Sequence, residues 1–246
     1  QEDAQKIRSD LTQIEGLPVE LQVVEVFTHG HAAGFLALAK AVEQIQQRTF
    51  EACLVGGVES YFHPDTMEWL DTNRQLTGTV SRSGFVPGEG AGFCLIMTER
   101  ARHQWGLRSM VSVRTVAIGK ETKLIKTDDI CLGEGLTETI ESAVIHLNRP
   151  TGTINNIICD INGERYRGEE WGFVCLRFSG YFDDPTDYLA PADCWGDMGA
   201  ASGPLFAMLV HQAVERGYAK GPRTMLWASS EGGARGAAVL EAVSRL

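Results

Sequence analysis

Gly30-His31-Ala32-Ala33-Gly34-Phe35-Leu36-Ala37-Leu38-Ala39-Lys40-Ala41-Val42-Glu43-Gln44-Ile45-Gln46-Gln47, followed after four residues by Ala52-Cys53-Leu54-Val55-Gly56-Gly57, decides the fold. Phe35, Leu38, Val42 and Ile45 recur at three- and four-residue steps, which predicts an amphipathic helix from about His31 to Gln47. Its Ala- and Gly-rich first turn permits close packing. Leu21-Gln22-Val23-Val24-Glu25-Val26-Phe27 before it reads as a strand, and Ala52–Val55 after it as a short buried strand ending at the glycine pair. Strand, helix and strand in this order predict a parallel sheet covered by helices.

Outward from this unit, residues 61–92 have little periodicity and carry turn signals at Thr77-Gly78 and Pro87-Gly88, so they read as a long excursion before a strand at Gly92–Met97. A second unit starts near residue 107. Its expected elements are a strand over Ser109–Val116, a helix over 135–147, a strand over Ile154–Ile161, a helix over Glu169–Phe178, a weak strand near Leu189, a helix over Ser202–Gly217, and strands at Thr224–Ala228 and Ala237–Leu240. The first unit has the element order of the end of the second, which implies two related halves, 1–106 and 107–246, the first lacking its opening elements. The chain opens on Gln1 rather than Met, consistent with a segment upstream of it.

With 43% apolar residues, the 246-residue chain can bury a sizeable core. Its 32 acidic and 22 basic residues give a net charge of -10, which argues against nucleic acid or an anionic membrane surface as partner. Six dispersed cysteines without a CxxC pair read as small buried hydrophobes in a reducing compartment. No apolar run has the length of a membrane span and no signal peptide is apparent, so a cytoplasmic location is expected.

Four stretches carry a resemblance. They are His31-Ala32-Ala33-Gly34 through Val55-Gly56-Gly57-Val58-Glu59; Ser83-Gly84-Phe85-Val86-Pro87-Gly88-Glu89-Gly90-Ala91-Gly92; Trp195-Gly196-Asp197-Met198-Gly199-Ala200-Ala201-Ser202-Gly203; and Ala228-Ser229-Ser230-Glu231-Gly232-Gly233-Ala234-Arg235-Gly236. Their content and order resemble the thiolase-like fold and, within it, the β-ketoacyl-acyl-carrier-protein synthases. The resemblance implies an α/β thiolase-like fold in α-β-α-β-α layers, built from two related halves with the N-terminal one incomplete.

In the resembled synthases a cysteine at a helix N-terminus attacks an acyl thioester, and two histidines assist decarboxylation and condensation. Here His31 falls at the cysteine position, and imidazole cannot carry the acyl chain as a thioester. Asn162 takes the place of the first histidine and cannot exchange a proton near neutral pH. Asp197 takes the place of the second and brings negative charge where an enolate would form. The family's lysine falls near Ala192, and the phenylalanine of its last glycine loop at Glu231.

The resemblance therefore implies a catalytically inactive β-ketoacyl-synthase-like protein, with His31, Asn162, Asp197 and Glu231 as vestigial positions. It would act as a binding, scaffold or assembly subunit without a cofactor. Partners implied are a second identical or related chain, paired through residues 50–60, and an acyl-carrier protein. The alternative is a thioester-processing acyltransferase or hydrolase, with His31 and Asp197 as base and Asn162 as oxyanion donor.

Other residues carry less. His29 and His31 with Asp160, Glu164 and Asp197 lack a recurring metal-site spacing, so no metal is expected. Neither Gly56-Gly57 nor Gly84–Gly92 matches a phosphate or dinucleotide loop. Asp183-Asp184-Pro185-Thr186-Asp187 reads as a solvated turn rather than a calcium loop. Trp69, Trp171 and Trp195 are candidates to fill the core or to line a cavity or subunit surface.

Overall fold

Two apolar faces on one sheet set the architecture. A computed structural model describes residues 2–13, 24–78, 81–125, 127–147 and 153–243. In chain order these form α1 (Glu2–Thr12), a single 3-10 turn at Gly30–Ala32, α2 (Ala33–Gln46), β1 (Ala52–Ser60), α3 (Pro64–Thr72), β2 (Glu89–Met97), α4 (Glu99–Gln104) and β3 (Val111–Lys120). They continue with α5 (Glu134–Val144), β4 (Asn156–Cys159), α6 (Arg165–Phe178), α7 (Ala192–Trp195), a 3-10 turn at Gly199–Ala201, α8 (Ser202–Arg216), β5 (Arg223–Ser229) and β6 (Ala234–Ala242).

The four-stranded sheet has the order β3-β6-β5-β4, with β4 and β5 parallel and the other pairs antiparallel. Alternate residues point to opposite faces. Ala117, Ile157, Met225, Trp227 and Val239 pack with Leu136, Ile140 and Val144 of α5 and with Trp171 and Val174 of α6. Ile158, Leu226, Ala238 and Leu240 pack instead with Phe35 and Leu38 of α2 and with Phe206 and Val210 of α8. The register of β3 shifts between Val113 and Thr115, so the extra residue Arg114 switches the alternation. Val111, Val113 and Val116 consequently all join the α2/α8 core although their parity differs.

Beyond α2 and α8 lies the antiparallel β1–β2 pair, with Cys53, Val55 and Ile96 on its inner side. The layers run α5/α6, sheet, α2/α8, sheet. The outward face of the β1–β2 pair exposes Leu54, Val58, Phe93 and Leu95, so among the described residues it lacks the fifth, helical layer that was expected. Ile140 is fully buried, and Ile140→Val is expected to cost about 1 kcal/mol, read as a shift in urea midpoint at unchanged m-value.

Several expectations are corrected. Val24–Phe27 form no strand, and the rest of the expected strand, 21–23, lies outside the described residues. A strand needs a ladder partner, and β1 pairs only with β2 among the described residues. The parallel pairing predicted around α2 is absent with it; the parallel pair is β4–β5. Residues 61–92 contain α3, with Pro64 at its first turn. The weak strand near Leu189 is a single bridge to Ile158, since Pro191 follows it closely. Helix α6 begins at Arg165 rather than Glu169. Of the six cysteines, all free, only Cys159 is fully buried, and Cys194 is exposed.

Candidate functional site

The parallel strands β4 and β5 end side by side at Cys159 and Ser229, and the chain beyond each carries polar residues into a common centre, the usual place for a site in an open α/β sheet. After β4, Asn162 Oδ1 accepts the Glu164 N–H at 3.0 Å, closing a tight corner. Gly163 sits in that corner at φ +102, where a Cβ would also approach Gly84 O to 2.6 Å. After β5, Ser230 Oγ accepts Ala32 N–H at 2.9 Å and donates to His29 O, tying the 3-10 turn of His31 to the sheet.

Asp197 is fixed through its backbone: its N–H donates to Val86 O at 2.7 Å and its carbonyl accepts Gly88 N–H at 2.9 Å. The Gly199–Ala201 turn lies directly on β1 because Gly57 has no side chain; a Cβ there would stand 2.4 Å from Ala200 O. Thus the four stretches singled out from the sequence converge on one place.

His31, Asn162 and Asp197 are brought together. His31 Nε2 lies 2.8 Å from both carboxylate oxygens of Asp197. Tyr61 OH donates to Asp197 Oδ1 at 2.9 Å, Gly199 N–H donates to the same oxygen at 2.8 Å, and Asn162 Nδ2 donates to Oδ2. Four donors match the acceptor capacity of a carboxylate. Burial opposes the Asp197 charge, but His31, Arg167 and Asn162 outweigh it and hold the carboxyl well below the usual carboxylate range. Burial, with the Asp197 and Glu59 charges, pushes the Tyr61 phenol well above its ordinary value, so it remains a donor.

Behind His31 stands Arg167, with an exposure of 0%. Its Nη2 lies 3.3 Å from His31 Nδ1 and 3.2 Å from Nε2. Nη1 donates to Asp160 Oδ2 and, at 2.6 Å, to Ser229 O, while Nε reaches Glu164 Oε2 at 3.3 Å. Burial disfavours this guanidinium's charge, but Asp160 and its other neighbours raise its pKa well above the usual value. For Asp160 burial prevails over Arg167, and its carboxyl is shifted upward. Sequence reasoning missed Arg167 and Tyr61. It considered Asp160 and Glu164 only as metal ligands, whereas here they neutralise an arginine.

A second buried pair continues the network: Arg235 Nη2 donates to Glu170 Oε1, and Ser229 Oγ donates to Glu170 Oε2 at 2.7 Å. Glu121, Cys131 and Glu170 bring ligand-type atoms within 4.8 Å of one another, as no other such trio does among the described residues. Glu170 is committed to Arg235 and Ser229, Glu121 accepts the N–H groups of Lys123 and Gly135, and burial pushes the Cys131 thiol up to about 11. The Cys131 thiol donates to Glu170 Oε1 at 3.4 Å, so all three side chains of the cluster are hydrogen-bonded.

A cavity of about 460 Å³ opens over His31, lined also by Glu59, Tyr61, Trp69, Phe85, Glu164 and Glu231. Glu231 therefore belongs to the wall of the site, and His29 is on it too. Trp69 lines the cavity, Trp171 is a core residue stacked on Trp227 at 5.3 Å, and Trp195 packs at the edge of the α2/α8 core. Asp184 Oδ1 accepts both the N–H and the hydroxyl of Thr186, as expected of a solvated turn. No described helix is long and apolar enough to cross a membrane.

Residues 26–102 match the family model "Beta-ketoacyl synthase, N-terminal domain". Comparison with curated proteins gives no match. Among solved structures, the ketosynthase from module 6 of the bacillaene synthase of Bacillus subtilis 168 superposes with a TM-score of 0.72 at 15% identity, over 88% of this chain and 47% of that one. A type II polyketide ketosynthase solved with its acyl-carrier protein and bound to a hexaketide gives 0.74 at 17%, over 90% and 63%. The ishigamide ketosynthase/chain length factor gives 0.62 at 21%, over 87% and 56%. The chain spans less than two thirds of the length of these structures. It has the ketosynthase fold, an α/β fold with a mixed sheet and flanking helices, and its residues 26–102 carry the sequence pattern of a β-ketoacyl synthase N-terminal domain.

Proposed function

We propose that this chain is a ketosynthase-like subunit that has lost condensation and serves in binding or assembly. The observation that carries the reading is the engagement of His31: Nε2 is turned to both oxygens of Asp197, and one guanidinium nitrogen of Arg167 lies 3.2–3.3 Å from both ring nitrogens. A general base needs a nitrogen lone pair facing its substrate, and Nε2 faces a buried carboxylate instead. Asp197 is equally committed, to four donors. The exposed apolar face of β1–β2 supports pairing with an identical or related chain at residues 50–60. An acyl-carrier protein remains the partner implied by the fold, since a ketosynthase of this fold is solved with one.

The test is incubation with coenzyme A and acyl-carrier thioesters, followed by intact-mass and product analysis. No adduct and no turnover are expected. His31→Cys is expected to leave condensation absent as well, because Asn162 and Asp197 still stand where proton transfer and enolate stabilisation are required. The second reading, a thioester-processing acyltransferase or hydrolase, draws support from the assembly of His31, Asn162 and Asp197 beside a cavity. Turnover abolished by His31→Ala would establish it in place of the first.

A further inference from the structure

We infer that the cavity over His31 binds a neutral aromatic molecule carrying a primary carboxamide, held by the side chain of Gln75. The inference goes beyond the binding role proposed above by naming a ligand class, and it does not depend on the loss of condensation. Gln75 is 6% exposed and stands in the cavity wall. Its backbone is held on both sides: the N–H donates to Leu70 O at 2.9 Å and the carbonyl accepts Phe85 N–H at 2.8 Å. The side-chain carboxamide, by contrast, has no hydrogen-bond partner among the described residues. Nor are its polar atoms sealed away as Asp160 Oδ1 and the Tyr166 hydroxyl are, and the open space at Gln75 is the cavity. Polar groups this deeply buried are nearly always bonded, so a free carboxamide in a cavity wall points to a ligand that bonds it.

A carboxamide presents a carbonyl acceptor and an amino donor side by side. A carboxylate would meet the amino half and set its second oxygen against Oε1, and an ammonium group would meet Oε1 alone. A primary carboxamide turned head to tail meets both halves through two parallel hydrogen bonds. A secondary amide in its ordinary trans form cannot, because its N–H and C=O point in opposite directions. The rest of the wall suits an aromatic body. The Tyr61 and Phe85 rings meet there with centroids 5.2 Å apart, Leu70 is buried, and Trp69 lines the cavity with an exposure of 55%. A ring entering the cavity covers part of Trp69 and gains tilted or offset aromatic contacts. A volume of about 460 Å³ is that of a small-molecule site.

Benzamide, N-methylbenzamide and acetophenone share a phenyl ring and are all uncharged, but only benzamide can make both bonds to Gln75 at once. In calorimetric titrations of the full chain, benzamide is expected to bind about fivefold or more tightly than either of the others, the effect of one additional neutral hydrogen bond. Gln75→Met keeps the length of the side chain and removes both bonding groups, so it should erase the preference for benzamide. Trp69→Ala should weaken all three ligands. Because the Gln75 carboxamide bonds nothing within the fold, Gln75→Met is expected to leave the thermal midpoint unchanged or to raise it, which certifies folding. Equal binding of the three ligands by the unaltered chain, no binding of any of them, or a preference that survives Gln75→Met overturns the inference and leaves the loss of condensation standing. Benzamide selectivity accompanied by thioester condensation upholds the inference and overturns the non-condensing reading instead.

Discussion

Arg167→Met is expected to destabilise the fold by about 3–5 kcal/mol, a large part of the roughly 5–15 kcal/mol that a domain commonly has. The guanidinium is wholly buried and pairs with Asp160 and Glu164 while also bonding Ser229 O and His31. Methionine fills most of the volume but takes from Asp160 and Glu164 the guanidinium that pairs with them and from a backbone carbonyl its donor. Breaking a buried pair by removing one partner costs more than removing both, so Arg167→Met with Asp160→Asn and Glu164→Gln should recover about half of the loss. Urea denaturation of the three proteins measures this. A single variant that loses less than about 1 kcal/mol, in the range of an exposed ion pair, would sink the account of Arg167 as the charge that holds the centre together.

That centre shows where sequence reasoning reaches and where it stops. Helix α2 was legible because its apolar periodicity is local, and β5 and β6 because Thr224–Ala228 and Ala237–Leu240 are continuous apolar runs fit for a sheet covered on both faces. His31, Asn162 and Asp197 were legible as positions within short motifs, and they do meet. The saturation of Asp197 by donors was not legible. Tyr61 lies in an aperiodic stretch. Arg167 lies in Arg165-Tyr166-Arg167, ahead of the helix expected from Glu169, where nothing local marks a buried charge. Its burial is settled only when β4 delivers Asp160 and β5 delivers Ser229 to the same point, contacts separated by 7 and 62 residues along the chain. The unmet strand at residues 24–27 is the converse case: an apolar pattern is necessary for a strand, but the pairing edge is a property of the rest of the sheet.

The pairing of His31 with Asp197 also has a consequence for stability, since a buried carboxylate held far below its ordinary pKa links stability to pH. Asp197→Asn is expected to cost about 3–5 kcal/mol at neutral pH, because the amide removes the charge that faces His31 and Arg167 and puts an N–H group where an acceptor is required. Linkage fixes how that difference depends on pH. The folded-state pKa of Asp197 is depressed, so its stabilisation is complete above the ordinary carboxylate value of about 3.9 and is lost as pH falls toward the folded value. The Asp197 carboxylate itself should therefore contribute a constant amount to the difference between wild type and variant from pH 7 to about 4.5. Below about pH 4 the gap should narrow by roughly 1.4 kcal/mol per pH unit, the increment for one proton taken up on unfolding. Comparing the two proteins cancels the carboxylates remote from Asp197, whereas Asp160, whose carboxyl is raised mainly by burial and in part by the Asp197 charge, acts in the opposite direction and changes with it. Chemical denaturation at pH 7, 5, 4 and 3 resolves the profile. A gap that stays unchanged down to pH 3 would mean that Asp197 contributes through shape and hydrogen-bond geometry alone, and that its charge does not fix His31 in place.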